Sequence, residues 1–312
     1  MNTFEKLGID PGRAICYSGY RSGQNPGDET YPSREQIRED LDILRKRWTY
    51  LRLYDCSEHA VRTLDVIRNH NMPFRVMLGA YIKAEVNNPG CPWGQHYEAD
   101  ELEQNKVDNL AEIERLVGLA NAYPEIVFSL SAGNEATVDW TDHMVPVEQV
   151  IRYVRILKNG ARQPVTFCEN YVPWQDKLAG LVDELDFISI HTYPVWEQQA
   201  IDNALDYTKA NLRSVTEHVP DKPVVITEAG WTTKSNGHAI DPGNANEDLQ
   251  VVYTRELEKW SRQEGILTFL FEAFDEAWKG SPDDLEPEKH WGLFTENRKP
   301  KKAMRPFYKE LV

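Results

Sequence analysis

Two glutamates set the chemistry this chain could perform. Glu135 ends the run Ser129-Leu130-Ser131-Ala132-Gly133-Asn134-Glu135, and Glu228 lies in the stretch 223–231 (PVVITEAGW). Each follows apolar and β-branched residues, so each reads as a carboxylate at the C-terminal tip of a buried strand. Cleavage of a glycosidic bond needs such a pair. One carboxylic acid protonates the leaving oxygen, and one carboxylate works on the other face of the anomeric carbon. A separation of roughly 5–5.5 Å lets the second attack directly and retain configuration, whereas roughly 6.5–9.5 Å admits water and inverts it. The acid must hold a proton near neutral pH, through burial or a neighbouring carboxylate. Asn134 precedes Glu135 and is placed to donate to a sugar 2-hydroxyl, which makes Glu135 the acid. Glu228 is then the nucleophile, kept ionised by donors such as Tyr193 or Lys279.

The elements that must position these residues can be read from hydropathy. Strand-like runs cover residues 14–20, 50–55, 74–82, 126–135, 165–169, 187–193, 224–231 and 266–275. Helical periodicity fills the gaps. Ser33 to Gln36 forms a capping box ahead of Ile37, Leu41, Leu44 and Trp48. Leu102, Leu110, Ile113, Leu116, Val117 and Ala120 mark one face of a long helix. Pro146 opens another that Gly160 stops. Asn246 caps one running to Gly265, with Leu249, Val252, Tyr253, Leu257 and Trp260 inward. Eight such alternations predict an α/β fold, a single (β/α)8 TIM barrel spanning residues 1–312; a doubly wound open sheet is the alternative. Helix-to-strand links are short, whereas strand-to-helix links at 21–32, 83–97, 136–145, 232–245 and 277–289 are long. They carry Tyr31, Trp93, Tyr97, Trp140 and Trp278, as expected when the C-terminal face of a barrel holds the site.

The totals narrow the partners. Across 312 residues the formal net charge is −15, which disfavours nucleic acid and anionic membranes. No stretch approaches the length of a membrane span. The four cysteines, Cys16, Cys56, Cys91 and Cys168, are scattered without a CxxC pair, so neither a disulfide nor a metal is expected. His and Asp do not cluster at ligand spacing, and no cofactor is expected. The sequence shows no export signal at its start, which with unpaired cysteines points to the cytoplasm. A monomer is expected.

Several blocks resemble glycoside hydrolase family 17, the β-1,3-glucanases. Tyr50-Leu51-Arg52-Leu53-Tyr54-Asp55 is similar to its strand-two signature, Gly133-Asn134-Glu135 to its acid/base motif and Thr227-Glu228-Ala229-Gly230-Trp231 to its nucleophile motif. Residues 271–279 (FEAFDEAWK) and 288–294 (EKHWGLF) are similar to its strand-eight segment and closing Gly-Leu-Phe motif. The blocks run in family order over nearly the whole chain. Ala229 stands where threonine is more usual, and the loops bearing Trp93, Trp140 and Trp278 look closer to bacterial members than to plant ones. The resemblance implies a retaining, laminarinase-type hydrolase acting on β-1,3-glucan or its oligosaccharides, with Glu135 as acid/base and Glu228 as nucleophile. Tyr54, Asp55, Asn134, Tyr193, Trp231, Glu276, Lys279 and Glu288 would bind or support substrate. Endo action is expected. Alternatives are an exo-glucanase, a transglucosylase with acceptor aromatics at Trp140, Trp174 and Trp278, a hydrolase of another β-glycan, and an inactive glucan-binding protein. For single residues, alternatives also stand. Glu272 could point into the barrel near the site or pair with Arg52, His191 could bind a sugar hydroxyl or the nucleophile, Asp55 could bind substrate or anchor its loop, and Trp231 and Trp291 could stack on sugar rings or floor the pocket.

Overall fold

The computed structural model describes residues 2–312. Eight parallel strands close into a barrel in sequence order. They are β1 (Ala14–Cys16), β2 (Tyr50–Leu53), β3 (Arg75–Gly79), β4 (Val127–Asn134), β5 (Val165–Asn170), β6 (Ile188–Thr192), β7 (Val224–Ala229) and β8 (Thr268–Leu270). The helices are α1 (Thr3–Leu7), α2 (Arg34–Leu44), α3 (Glu58–Asn69), α4 (Ala99–Ala122), α5 (Val147–Gly160), α6 (Ala179–Val182), α7 (Ile201–His218) and α8 (Glu247–Glu264). The expected (β/α)8 barrel is present, with one irregularity. α1 precedes β1, and β8 is followed among the described residues by 3-10 turns instead of an α-helix. β1 and β8 have three residues each, shorter than expected, because the chain leaves the ladder and continues as mouth loops.

Alternation along the strands sorts side chains into two cores. Ala14, Cys16, Tyr50, Met77, Phe128, Cys168, Phe187, Val225 and Phe269 fill the barrel, and Phe4 of α1 belongs to the same cluster. Ile15, Leu51, Leu53, Leu130, Ile190 and Ile226 face the helices. Helix ends follow the sequence signals. Ser33 and Gln36 form the capping box of α2, Asn246 caps α8, and Gly265 ends it at φ +67°. Among the described residues no helix is long and apolar enough to cross a membrane. All four cysteines are buried and unpaired.

Two helix faces differ from the periodicity reading. The inward face of α4 carries Asn105 and Asn109, not Leu102 and Leu110. Asn105 donates to the Ala84 carbonyl, and Asn109 bonds both backbone groups of Lys83 and the buried Glu85 carboxylate. On α8 the buried Gln250 donates to the carbonyls of Trp231, Trp291 and Gly292. Both faces secure loops at the barrel mouth, where backbone groups outside the ladder need partners.

Candidate active site

Glu135 and Glu228 meet across the mouth of the barrel. A side-chain oxygen of each, with a His191 ring nitrogen, falls in one group whose atoms all lie within 4.8 Å of one another. That approach suits the closer, retaining arrangement of two carboxyl groups. Backbone irregularities at two strand tips aim the pair. The β6–β7 register shifts between Ile190 and His191, so His191 faces Glu228, and the β4–β5 register shifts between Ser131 and Asn134. Such shifts turn a side chain that alternation would send outward towards the mouth. Gly133 permits the second one. A Cβ there would sit 2.7 Å from Ile82 Cδ1 and 2.8 Å from Phe167 Cε2. Glu135 itself has φ +44°, a left-handed conformation that costs a non-glycine residue about 1 kcal/mol or more.

Glu228 is 5% exposed and surrounded by donors. Arg52 Nη1 lies 2.5 Å from its Oε1, Tyr54 Oη donates to the same oxygen at 2.9 Å, and Tyr193 Oη donates to Oε2 at 2.5 Å. Burial alone would raise its pKa. The charges of His191 and Arg52, with the two tyrosine hydroxyls, outweigh burial and hold it below the usual carboxylate range. Arg52 is buried in turn, donates also to the Thr227 carbonyl at 3.2 Å and to Asn134 Oδ1, and lies over the Tyr54 ring. With Oδ1 engaged, the Asn134 amide hydrogens are the donors left for a ligand.

His191 joins the two carboxylates. Its Nδ1 is 2.8 Å from Glu135 Oε1 and 3.5 Å from Glu228 Oε2. Burial works against its charge, but Glu228, the Cys168 contact and Glu135 outweigh that and raise its pKa to about 10. Arg52 Nη1 lies 3.3 Å from the other ring nitrogen, Nε2. Glu135, Glu228 and His191 have the spacing of a metal site. Arg52 Nη1 already lies against Glu228 Oε1 and would place its positive charge beside any cation held there, so the group does not suit a metal.

A second charged cluster borders the first. Lys279 Nζ is 3.0 and 2.9 Å from the two Glu272 oxygens and 2.6 Å from Glu276 Oε2. Burial disfavours its charge, but the two carboxylates outweigh that and push its pKa up. Glu276 is fully buried, and its Oε1 accepts from Ser18 at 2.5 Å and from Trp278 Nε1 at 2.9 Å. Glu288 is half-buried, with its pKa raised to about 7 by burial and by the charges of Glu135 and Glu228, against the pull of Lys279.

The structure therefore rearranges several expected roles. Lys279 pairs with Glu272 and Glu276 rather than stabilising Glu228. Arg52 pairs with Glu228, not with Glu272. Glu276 meets Ser18 and Trp278 through Oε1 and Lys279 through Oε2, and so supports the Trp278–Lys279 segment. Asp55 accepts from the backbone and hydroxyl of Ser57 at 3.0 and 2.6 Å and anchors its loop. Trp231 is fully buried, donates to the Asn244 carbonyl at 2.7 Å and packs on Tyr253 of α8, away from the cleft. Trp174 is buried, bonded to the Ser189 carbonyl. Trp291 packs under Tyr193 at 5.0 Å as floor. Trp93, Trp140 and Trp278 remain exposed.

Two residues that sequence reasoning did not single out hold the Glu135 turn. Glu169 is fully buried, and its Oε2 accepts from Thr137 N and Oγ1 at 2.9 and 2.6 Å. Burial first, then the charge of Glu135, lifts its pKa to about 7 against these hydrogen bonds. Its place in the strand-five run was the available signal. His143 reaches the Asn134 carbonyl from the β4–α5 loop, and no spacing pattern marks it.

Comparisons with known proteins identify the family and the fold. The model of the BtgE/BtgC glycoside hydrolase domain matches residues 14–292. A glucan 1,3-beta-glucosidase of Arthroderma benhamiae is 22% identical over 91% of this chain and 88% of its own length. A putative glucan endo-1,3-beta-glucosidase btgC of Aspergillus niger is 25% identical over 88% of this chain, which spans 40% of that relative. Among solved structures, an endo-laminarinase from Formosa Hel1_33_131 is 26% identical and superposes with a TM-score of 0.83 over 99% of this chain and 90% of the other. A family 17 beta-1,3-glucanosyltransferase from Rhizomucor miehei, 22% identical, shares the fold with a TM-score of 0.70 over 93% and 95%. The chain belongs to the BtgE/BtgC glycoside hydrolase domain family, a family-17-like group of glycoside hydrolases.

Proposed function

We propose that this protein is a retaining β-1,3-glucan hydrolase that cuts within chains, with Glu228 as nucleophile and Glu135 as acid/base. The observation that carries the reading is the close approach of the two carboxylates, one buried among cations and hydroxyls and the other partly exposed to the cleft. In the first step Glu135 gives its proton to the glycosidic oxygen as an oxygen of Glu228 bonds to the anomeric carbon. The bond between that carbon and the leaving oxygen breaks, and a glycosyl ester forms. Oε1 accepts from Arg52 and Tyr54, whereas Oε2 accepts from Tyr193 and has His191 Nδ1 at 3.5 Å. In the second step Glu135 takes a proton from water, which attacks the same carbon and frees Glu228. The Asn134 amide is the donor for the 2-hydroxyl, a contact that strengthens as charge develops on the ring.

β-1,3-Glucan as substrate is supported by the relatives' activities, and internal cleavage by the endo-acting Aspergillus niger relative and the near-complete mutual coverage with the endo-laminarinase structure. A time course of laminarin products tests the reading. Mid-length fragments should come first, with the new reducing ends born as β-anomers in proton NMR. A single small product from the start would replace endo by exo action, and α-anomers would overturn retention. Transfer products at high oligosaccharide concentration would mark transglucosylation.

A further inference from the structure

The acid/base turn has an unusual amount of support, and one support comes from outside the barrel wall. Glu135 sits at φ +44°, so the peptides on either side must be held against relaxation. Inside the wall, Glu135 N donates to the Cys168 carbonyl at 2.9 Å, Asn134 Oδ1 accepts from Arg52, and Thr137 is held by Glu169. The carbonyl of Asn134, on the peptide that leads into Glu135, is not engaged by a neighbouring strand. It receives His143 Nε2 at 3.0 Å. A carbonyl only accepts, so Nε2 carries a hydrogen, and the Asp142 carboxylate likewise requires one on Nδ1. The other ring nitrogen is fixed by Asp142 Oδ1 at 2.9 Å and Thr141 Oγ1 at 3.2 Å, and Tyr81 covers the ring at a centroid distance of 5.3 Å. The loop is tied to the same turn a second time, where Val145 N donates to the Ala136 carbonyl at 2.8 Å.

We infer that His143, oriented by Asp142, is a positioning residue that fixes the Asn134–Glu135 peptide and thereby aims the Glu135 carboxyl at the leaving oxygen. The inference rests on the role proposed above for Glu135. His143 touches neither substrate nor reacting atoms. It sets the rotation of the peptide before Glu135, and displacement of a catalytic group by about 1 Å costs up to about a hundredfold in rate. Because it acts through the acid, its contribution should depend on how much the leaving group needs a proton.

The test compares laminari-oligosaccharides, whose leaving alcohol requires protonation, with a 2,4-dinitrophenyl β-laminarioside, whose phenolate leaves unaided. Glu135→Ala is the reference for loss of the acid, with a large drop on the oligosaccharide and little effect on bond cleavage in the aryl glycoside. In single-turnover release of dinitrophenolate, His143→Ala should show the same pattern in smaller measure. The expected loss is roughly ten- to a hundredfold on the oligosaccharide and under about threefold on the aryl substrate. His143→Gln, which keeps an N–H donor at similar reach, should recover most of the oligosaccharide rate. Equal losses on both substrates, or no loss on either, would overturn the inference while leaving the Glu135 assignment intact. A Glu135→Ala variant without leaving-group dependence would overturn both.

Discussion

Arg52 Nη1 meets Glu228 Oε1 at 2.5 Å in a setting where both side chains are almost fully buried. The same guanidinium holds Asn134 Oδ1 and the Thr227 carbonyl, so a single cation links the tips of β4 and β7. Replacing it by methionine leaves a buried carboxylate short of a counter-charge. Arg52→Met should lower unfolding stability by about 3–5 kcal/mol and kcat by on the order of a hundredfold. Arg52→Lys should fall between, because an ammonium does not span two acceptors as a fork does. Chemical denaturation and initial rates on laminarin check both figures, and a stable, active Arg52→Met protein would remove Arg52 from the site.

Tyr193→Phe deletes the hydroxyl that donates to Glu228 Oε2. A donor to a carboxylate favours its charged form, so its loss raises the Glu228 pKa. The acid limb of kcat/KM should therefore move to higher pH, with a drop of roughly tenfold at the optimum. An unmoved acid limb would show that this hydroxyl does not tune the nucleophile.

His191 binds its proton more tightly in the folded protein, about 10 against 6.5. The group whose folded pKa is raised stabilises the fold fully below its unfolded value, and that stabilisation is lost as pH rises from about 6.5 to about 10. Thermal unfolding of the wild type and of His191→Asn should differ most near pH 6, and the gap should narrow towards pH 10. A gap that widened over that interval would contradict a charged His191.

At Gly230 an added Cβ would lie 2.0 Å from the Phe271 carbonyl oxygen. Gly230→Ala should therefore force β7 and β8 apart and cost about 1–3 kcal/mol. Activity should fall with it, because Glu228 is two residues away. Differential scanning calorimetry beside laminarin assays reads both.

Much of this site was legible in the sequence because its principal residues lie on local signals. Glu135 and Glu228 end apolar strands, and the capping residues Ser33 and Asn246 and the stop at Gly265 fix helix ends without reference to the rest of the molecule. What was not legible depends on which face a side chain takes at an irregular strand tip. The register shift beside His191 gives it to both carboxylates at once, and no sequence pattern encodes a shift. Aromatic residues in mouth loops read alike, yet Trp231 and Trp174 are core while Trp140 and Trp278 are exposed. The two core indoles donate to the Asn244 and Ser189 carbonyls, contacts between distant segments that no local pattern announces. Lys279 could reach several carboxylates by spacing, and two buried neighbours on its own loop outcompeted Glu228.

The central claim is that Glu228 carries the glycosyl group between the two steps. A 2-deoxy-2-fluoro-laminaribiosyl fluoride slows both steps but keeps a reactive leaving group, so the ester should accumulate. Mass analysis of the inactivated protein after proteolysis is the most direct measurement. One fluoro-disaccharide per chain is expected on the peptide containing Glu228; a label on any other residue, or turnover of the reagent to the α-anomer without labelling, would rule out Glu228 as nucleophile.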